Sequence, residues 1–314
     1  MIVLAGDIGG TNTRLALAES GKPALAHVRY FQNTRAASLE SLVAEYLAEG
    51  HAVPDRACFA VAGPTDGRRA QLTNLAWQID ANALTKRFGC RSHLINDFAA
   101  VGYGIEALGT ETLHTLQAGS PQTGAPRLAL GAGTGLGVVQ CLHGPDGYRP
   151  LPSEGGHIAF APVDEQQTAL LRSLQTEFGR TSVERVLSGP GIVSVYKHCR
   201  QAMGKPLIQA RSAADITSAA LAGSDATAVW TMQLFCAILG QTAGDLALVA
   251  RAEGGVYLAG GIAAKILPLL DDGRFLAGFR AKGRFSNWMA DVPVHVILDP
   301  DVGLKGAAIA AALD

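Results

Sequence analysis

The chain has 314 residues, of which 48% are apolar and 6% aromatic, and its formal net charge is −1. That length exceeds one average core, so one large or two ordinary domains are expected, with Ala, Leu and Val as the main filling. A near-neutral balance without a basic block argues against nucleic acid or an anionic membrane surface as the main partner. No uninterrupted apolar run approaches the length of a bilayer span. The opening Met1-Ile2-Val3-Leu4-Ala5 has no basic n-region and breaks at Gly6-Asp7, so it reads as a strand and not as a signal peptide. Cys58, Cys90, Cys141, Cys199 and Cys236 are far apart and form no Cys-x-x-Cys pair, which supports neither a disulfide framework nor a zinc site. The expected location is the reducing cytoplasm.

The first apolar run, Ile2–Ala5, leads into Gly6-Asp7-Ile8-Gly9-Gly10-Thr11-Asn12-Thr13, and Leu15-Ala16-Leu17-Ala18 follows at once. This reads as strand, glycine-rich turn, strand. Such a turn is an ordinary hairpin, or a cradle whose backbone N–H groups approach an anion, with Thr11, Asn12 and Thr13 adding donors and Asp7 available to Mg²⁺ directly or through water. Ser38 ahead of Leu39, Leu42, Val43, Tyr46 and Leu47 marks a capped amphipathic helix. Ala57–Ala62 is a buried strand ending at the turn Gly63-Pro64-Thr65-Asp66-Gly67. Asn74, in the loop that follows, bonds either a ligand or its own backbone. A helix near Leu84–Phe88 leads to the apolar run His93-Leu94-Ile95, and Asn96-Asp97-Phe98 stands at its end. Strand ends are where α/β folds place chemistry. Asp97 either caps the helix that starts at Phe98 or accepts a proton from a substrate hydroxyl.

Two paired strands, then helices alternating with apolar strands, make an α/β lobe. The polar, weakly periodic stretch Glu106–Pro126 reads as the crossing into a second lobe. That lobe opens with Leu128-Ala129-Leu130, the run Gly131-Ala132-Gly133-Thr134-Gly135-Leu136-Gly137, and Val138-Val139-Gln140-Cys141, a repeat of the first design. Two such turns facing each other would grip a polyphosphate from both sides. The dinucleotide fingerprint and the P-loop are both missing, since Gly21-Lys22 and Gly204-Lys205 are each followed by proline. Glu154 and His157 are three apart, but the two glycines between them disfavour a helix. They form a tight loop that bonds neighbouring hydroxyls of a polyol, or a solvated loop with an incidental histidine. Ser182 is expected to cap a short helix with Glu184 in its first turn, where an acid suits the dipole. Ser188-Gly189-Pro190-Gly191 starts the next helix. A helix after Ser212, a long apolar helix Val229–Ala250, a strand Gly255–Ala259 ending in Gly260-Gly261, a strand Val292–Leu298 and a small-residue helix Leu304–Leu313 follow.

In this order the stretches Gly6–Thr13, Asn96-Asp97-Phe98, Gly131–Gly137, Glu154-Gly155-Gly156-His157, Glu184–Gly191 and Ala259–Ile262 resemble the bacterial glucokinase family, and they span nearly the whole chain. That family belongs to the superfamily of sugar kinases, actin and heat-shock ATPases. The Cys-rich zinc motif of the related repressor and open-reading-frame kinases is absent, which indicates the zinc-free group, and a repressor with a DNA-reading segment ahead of Met1-Ile2 is not expected. Ser153 stands where a glycine is more usual, which bears on fine specificity.

The resemblance implies an α/β, two-lobed ribonuclease H-like (actin-like ATPase) fold with a cleft between the lobes. Residues 1–107 plus 299–314 would form the smaller lobe and 108–298 the larger. It implies ATP-dependent phosphorylation of D-glucose at the 6-hydroxyl, the entry step of glycolysis. A kinase for another hexose and a catalytically silent sugar sensor are the alternatives, and Asp97 argues against the sensor. Asp97 is implied as the base, and Asn96, Asp97, Glu154, His157 and Glu184 as glucose ligands. The ATP site would comprise Gly6, Asp7, Ile8, Gly9, Gly10, Thr11, Asn12, Gly131, Gly133, Thr134, Gly135, Gly260 and Gly261, with Asp7 on Mg²⁺. A homodimer is also implied.

If ligands come from both lobes, a bound sugar favours the closed arrangement in proportion to its differential affinity, with hinges expected near Glu106–Thr112 and Asp299–Gly303. Saturating glucose alone should therefore lower the radius of gyration in solution scattering, and an ATP analogue alone should do less. Unchanged scattering with glucose would contradict the expectation.

Overall fold

The computed structural model of the chain describes residues 1–20, 22, 24–72, 75, 77–206 and 211–313. Asn74 lies outside the described residues. The chain divides into two compact units. The first is Met1–Thr112 with Asp146–Pro152 and Asp299–Asp314, and the second is Leu113–Pro145 with Ser153–Leu298.

In the first unit the strands are β1 (Ile2–Ile8), β2 (Asn12–Glu19), β3 (Leu25–Gln32), β4 (Arg56–Val61), the short pair β5 (Arg69–Gln71) and β6 (Gln78–Asp80), and β7 (Arg91–Asn96). The helices are α1 (Leu39–Leu47), α2 (Ala81–Phe88), α3 (Asp97–Gly104) and, at the end of the chain, Val302–Leu313. The main sheet has the order β3-β2-β1-β4-β7, in which β1, β4 and β7 are parallel and β2 and β3 antiparallel. Side chains alternate across each strand. Leu4, Ile8, Phe59 and Val61 face a core with α1 and α2, while Val3, Ala5, Cys58 and Ala60 face α3 and the last helix. Ser38 caps α1 in a capping box with Ser41.

The glycine run after β1 is shorter than the sequence suggests. Gly6, Asp7 and Ile8 belong to β1, paired with Leu15, Arg14 and Thr13, so the turn proper is Gly9–Thr11. Gly6 is glycine for packing: a Cβ there would stand 2.5 Å from Phe59 Cδ1. The cap of α3 is Asn96 and not Asp97. Asn96 Oδ1 accepts the N–H groups of Phe98 at 2.9 Å and Ala99 at 3.2 Å, and Asp97 is the first helical residue.

In the second unit the strands are β8 (Leu113–Gln117), β9 (Arg127–Ala132), β10 (Leu136–Gly144), β12 (Val256–Ala259) and β13 (Val294–Ile297); β11 (Gly147–Ser153), next after β10 in the chain, belongs to the first unit in all but its last residue. Within this unit the order runs β10-β9-β12-β13-β8: β9, β12 and β13 are parallel, β10 pairs antiparallel with β9 and β8 antiparallel with β13. The polar stretch after Glu106 thus holds an edge strand, β8, which the sequence reading took as crossing. Again the turn is short: Gly131 and Gly137 pair within β9 and β10, leaving Gly133–Gly135.

The helices here are α4 (Glu165–Phe178), α5 (Gly189–Ala202), α6 (Ala213–Leu221), α7 (Ala226–Ala250), α8 (Gly260–Lys265), α9 (Leu267–Leu270), α10 (Arg274–Arg280) and α11 (Ser286–Asp291). By length and hydropathy alone α7 could cross a bilayer, contrary to the sequence expectation. Its Phe235, Ile238 and Leu239 instead sit in the core, and Gly240 and Gly244 let α10 approach so closely that Cβ atoms would meet the Phe275 and Phe279 carbonyls at 2.0 and 2.5 Å.

The tightest helix contact of the first unit lies between α3 and the last helix. A Cβ on Gly306 would fall 1.7 Å from the Ala100 carbonyl oxygen, and one on Gly104 would fall 2.1 Å from that of Val302. Gly306→Ala is therefore expected to lower stability by about 1–3 kcal/mol through overpacking. Urea unfolding checks this, and an unchanged midpoint would contradict the packing argument.

Candidate functional site

In the first unit two carboxylates stand at the carboxyl ends of parallel strands, the usual place for chemistry in α/β sheets. Asp7 lies near the end of β1, and Asp97 directly follows β7. Arg14 Nη1 lies 3.8 Å from Asp7 Oδ2 and 3.4 Å from Asp301 Oδ1, and it donates to the Pro300 carbonyl at 2.5 Å. Gly303, at the start of the last helix, lies beside Asp7, its Cβ position 3.8 Å from Asp7 Oδ2. Burial pushes the Asp7 pKa above the carboxylate range. Arg14 opposes that rise and Asp301 adds to it. Burial also raises Asp97, to about 6, with the Asp7 charge adding and the Phe98 N–H opposing. Two like charges near one another in low dielectric raise one another's pKa in this way.

The first turn is held by a residue the sequence reading missed. Asn33, 1% exposed, donates from Nδ2 to the Gly9 carbonyl at 2.8 Å and accepts from Thr13 Oγ1 at 2.8 Å. Its own N–H donates to the Thr11 carbonyl at 2.9 Å. Gly10, Thr11 and Asn12 then form an outward-facing tip, with Thr11 and Asn12 exposed. Arg14 and Asp301 were likewise not singled out as site residues: Arg14 directly follows the Gly6–Thr13 stretch and Asp301 lies in the expected hinge Asp299–Gly303, but the two partners lie 287 positions apart and nothing local pairs them.

In the second unit the turn Gly133–Gly135 is closed by Gly133 N–H donating to the Gly135 carbonyl at 2.8 Å, and Gly189 N–H, at the start of α5, donates to the Gly133 carbonyl at 2.8 Å. The turn and the positive end of a 14-residue helix meet there, which favours an anion. Both border a cavity of about 850 Å³ whose walls are Gly133, Thr134, Gly189, Pro190, Ile192 and Val193, residues of α6 including Ala213, Thr217 and Leu221, and Ile262, Lys265 and Ile266 after β12. Gly260 and Gly261 are not among its walls. Gly260 has φ +85, and a Cβ on it would lie 2.9 Å from the Ala132 carbonyl, so it turns the chain into α8. The α6 wall carries no motif that sequence reading could use.

Glu154 and His157 bracket a single 3-10 turn, Gly155–His157, with Glu154 Oε2 and His157 Nε2 3.8 Å apart. Both side chains are exposed, by 81% and 57%. The glycines between them are required by closeness to β10, since Cβ atoms would lie 2.2 Å from the Leu136 carbonyl and 3.0 Å from Val138 Cβ. Ser153 steadies the loop: its Oγ accepts from Gly155 N at 3.3 Å and donates to the Val138 carbonyl at 3.3 Å. Glu184 sits in the 3-10 turn Val183–Arg185, whose Ser182 makes no side-chain cap bond, contrary to expectation. Its carboxylate accepts the Leu136 N–H at 2.9 Å.

The glucokinase family model matches residues 4–314. A glucokinase of Trichormus variabilis is 43% identical over 99% of both chains. The chain belongs to the glucokinase family. Glucokinase from an Antarctic psychrotroph superposes with a TM-score of 0.91 at 33% identity, covering 100% of this chain and 99% of that one. At 24% identity, a glucokinase from Balamuthia mandrillaris solved in complex with glucose shares the fold with a TM-score of 0.83, covering 99% of this chain and 93% of that one. The fold class is thus the two-lobed, actin-like α/β fold of these kinases, and the activity is ATP-dependent phosphorylation of glucose.

Asp97 passes between carboxylic acid and carboxylate near about pH 6. A raised native pKa means that the folded chain holds this proton more tightly than the unfolded chain. Its contribution to stability is present below the unfolded pKa and is lost as pH rises through about 6. Asp97→Asn cannot ionise and should melt above the parent at about pH 8, with the gap closing near about pH 4. An equal or lower Tm for the variant at the higher pH would contradict burial as the cause.

Proposed function

We propose that Asp97 is the general base of the phosphoryl transfer from ATP to the glucose 6-hydroxyl. The observation that carries this is the carboxyl at the end of β7, whose pKa burial and the Asp7 charge raise to about 6. A base is most useful when its pKa lies near the working pH, because it is then largely ionised yet still takes a proton. The 6-hydroxyl gives its proton to Asp97 as its oxygen attacks the γ-phosphorus, and ADP leaves.

Asn96, Glu154, His157 and Glu184 bond the other sugar hydroxyls in this reading. Asn96 has its oxygen committed to the α3 cap and Nδ2 donating to the Gly63 carbonyl at 3.5 Å, so its second amide hydrogen is the one left for a hydroxyl. Sites that hydrogen-bond hydroxyls reject sugars lacking them, because the site's polar groups are then left unpaired. The Gly9–Asn12 and Gly133–Gly135 turns hold the phosphates, with Gly6, Ile8 and Gly131 shaping the strands that carry them. The cavity beside α6 takes the adenosine, and Gly260 and Gly261 open α8, which carries the wall residues Ile262 and Lys265.

Asp7 holds Mg²⁺ directly or through water. Among the described residues no group of three or more His, Cys, Asp or Glu is arranged to hold a metal. One carboxylate suits an ion bound mainly by phosphate and water oxygens. When bound, the ion neutralises phosphate charge, the main need of phosphoryl transfer. A homodimer in the cytoplasm completes the reading, on the strength of the family resemblance.

Asp97→Ala is expected to fold and bind glucose weakly, yet to lose turnover by roughly 10²–10⁴-fold. Near-parental turnover in a coupled ADP assay would sink the assignment. Glu154→Ala and His157→Ala should raise the glucose KM far more than the ATP KM, as loss of ground-state sugar contacts requires. Equal changes in both would remove these residues from the sugar site.

A further inference from the structure

Glu184 lies within a continuous path of hydrogen bonds in the second unit. On one side, Arg180 Nη2 donates to the His157 carbonyl at 2.8 Å. Val183 N–H donates to the Ile158 carbonyl at 3.0 Å, and Phe160 N–H donates to the Thr181 carbonyl at 3.1 Å. This ties the segment before Glu184 to the Glu154–His157 turn. On the other side, Glu184 Oε2 accepts the Leu136 N–H at 2.9 Å. The same oxygen occupies the space over Gly135, only 2.5 Å from where a Cβ would be. The φ of Gly135 lies outside the left-handed region, so the carboxylate is what a side chain there would meet. A carboxylate on a backbone N–H is a charge-assisted bond, roughly twice as strong as a neutral one. It fixes the end of the Gly133–Gly135 turn, whose beginning is fixed by the Gly189 N–H on the Gly133 carbonyl.

We propose that Glu184 is a positioning residue for the nucleotide turn as well as a sugar ligand, and that through it glucose and ATP tighten one another's binding. The proposal rests on the sugar-ligand reading above. A glucose hydroxyl donating to Oε1 holds the carboxylate in the rotamer in which Oε2 keeps the Leu136 N–H. The turn is then ordered before the phosphates arrive. Linkage is reciprocal, so a nucleotide that orders the turn tightens glucose by the same factor.

The test is calorimetric titration of the full chain with glucose and with AMPPNP in excess magnesium chloride, each alone and with the other saturating. For the parent the synergy factor should fall within roughly five- to 150-fold, the usual range of coupling between sites. Gly135→Ala meets only the end of a flexible side chain, so it should fold. Its methyl displaces the carboxylate, lowers the factor toward one and weakens glucose binding, although residue 135 offers no group to a sugar. Glu184→Ala should weaken AMPPNP even without glucose and abolish the synergy. Glu184→Gln, which keeps an acceptor oxygen, should restore much of the AMPPNP affinity. The Gly135→Ala and Glu184→Ala effects should not add, because both remove one contact. Glu154→Ala should weaken glucose while keeping the synergy. A parental factor in Gly135→Ala and Glu184→Ala, or no synergy in the parent, would overturn the link. If Glu184→Ala weakens glucose but leaves AMPPNP and the synergy untouched, the bracing role falls and the sugar-ligand reading stands. If it weakens only AMPPNP, the sugar-ligand reading falls and takes the link with it.

Discussion

Close packing of α3 on the last helix is the constraint on which the first unit depends. Ala100, Gly104, Gly306 and Val302 meet at distances that leave no room for a β-carbon at either glycine. That contact sets how closely α3 lies on the last helix, and α3 begins with Asp97 after its Asn96 cap. It also seats the start of the last helix, with Gly303 beside the Asp7 carboxyl and Pro300 and Asp301 against the Arg14 guanidinium. The small residues that face one side of the sheet therefore help set the surroundings of both carboxylates. They bring two carboxylates into partly dry surroundings at the ends of parallel strands, and desolvation does the rest. A bulkier interface would shift α3 and return Asp97 to water and to an ordinary carboxylate pKa.

The second unit repeats the strand, turn, strand design with a different support. In the first unit a buried amide, Asn33, holds the turn from beneath. In the second the support comes from Glu184 and from the first N–H of α5. Two turns of like shape are thus kept by unlike chemistry, one neutral and one charged. Only the charged one draws on a residue that the sugar reading also needs.

Much of this was legible in the sequence where the signal is local. Apolar runs broken by glycine gave the two hairpins, and a carboxylate after an apolar run marked Asp97. Ser38, Ser188 and Ser212 each cap a helix as their spacing suggests. Other features escaped for physical reasons. Gly6 and Gly131 read as turn residues because glycine in a strand, at Gly6 fitted against the Phe59 ring, looks the same in sequence as glycine in a loop. The edge strand β8 is half exposed and polar, so its alternation is weak. Helix α4 carried usable signals, an Asp164 cap, Leu170 and Leu174 four apart, and Gly179 at φ +70. The partners Arg14 with Asp301, Asn33 with Gly9, and Glu184 with Leu136 are far apart along the chain, and a single sequence carries no signal for such pairs.

The central claim is that burial has tuned one carboxylate, Asp97, to serve as a base near neutral pH. Carbon-13 NMR of the chain labelled at aspartate carboxyls, titrated against pH, measures this directly. The account predicts a resonance that titrates near about 6 and disappears in Asp97→Asn. A resonance assigned to Asp97 that titrates near the ordinary value of 3.8 would contradict it.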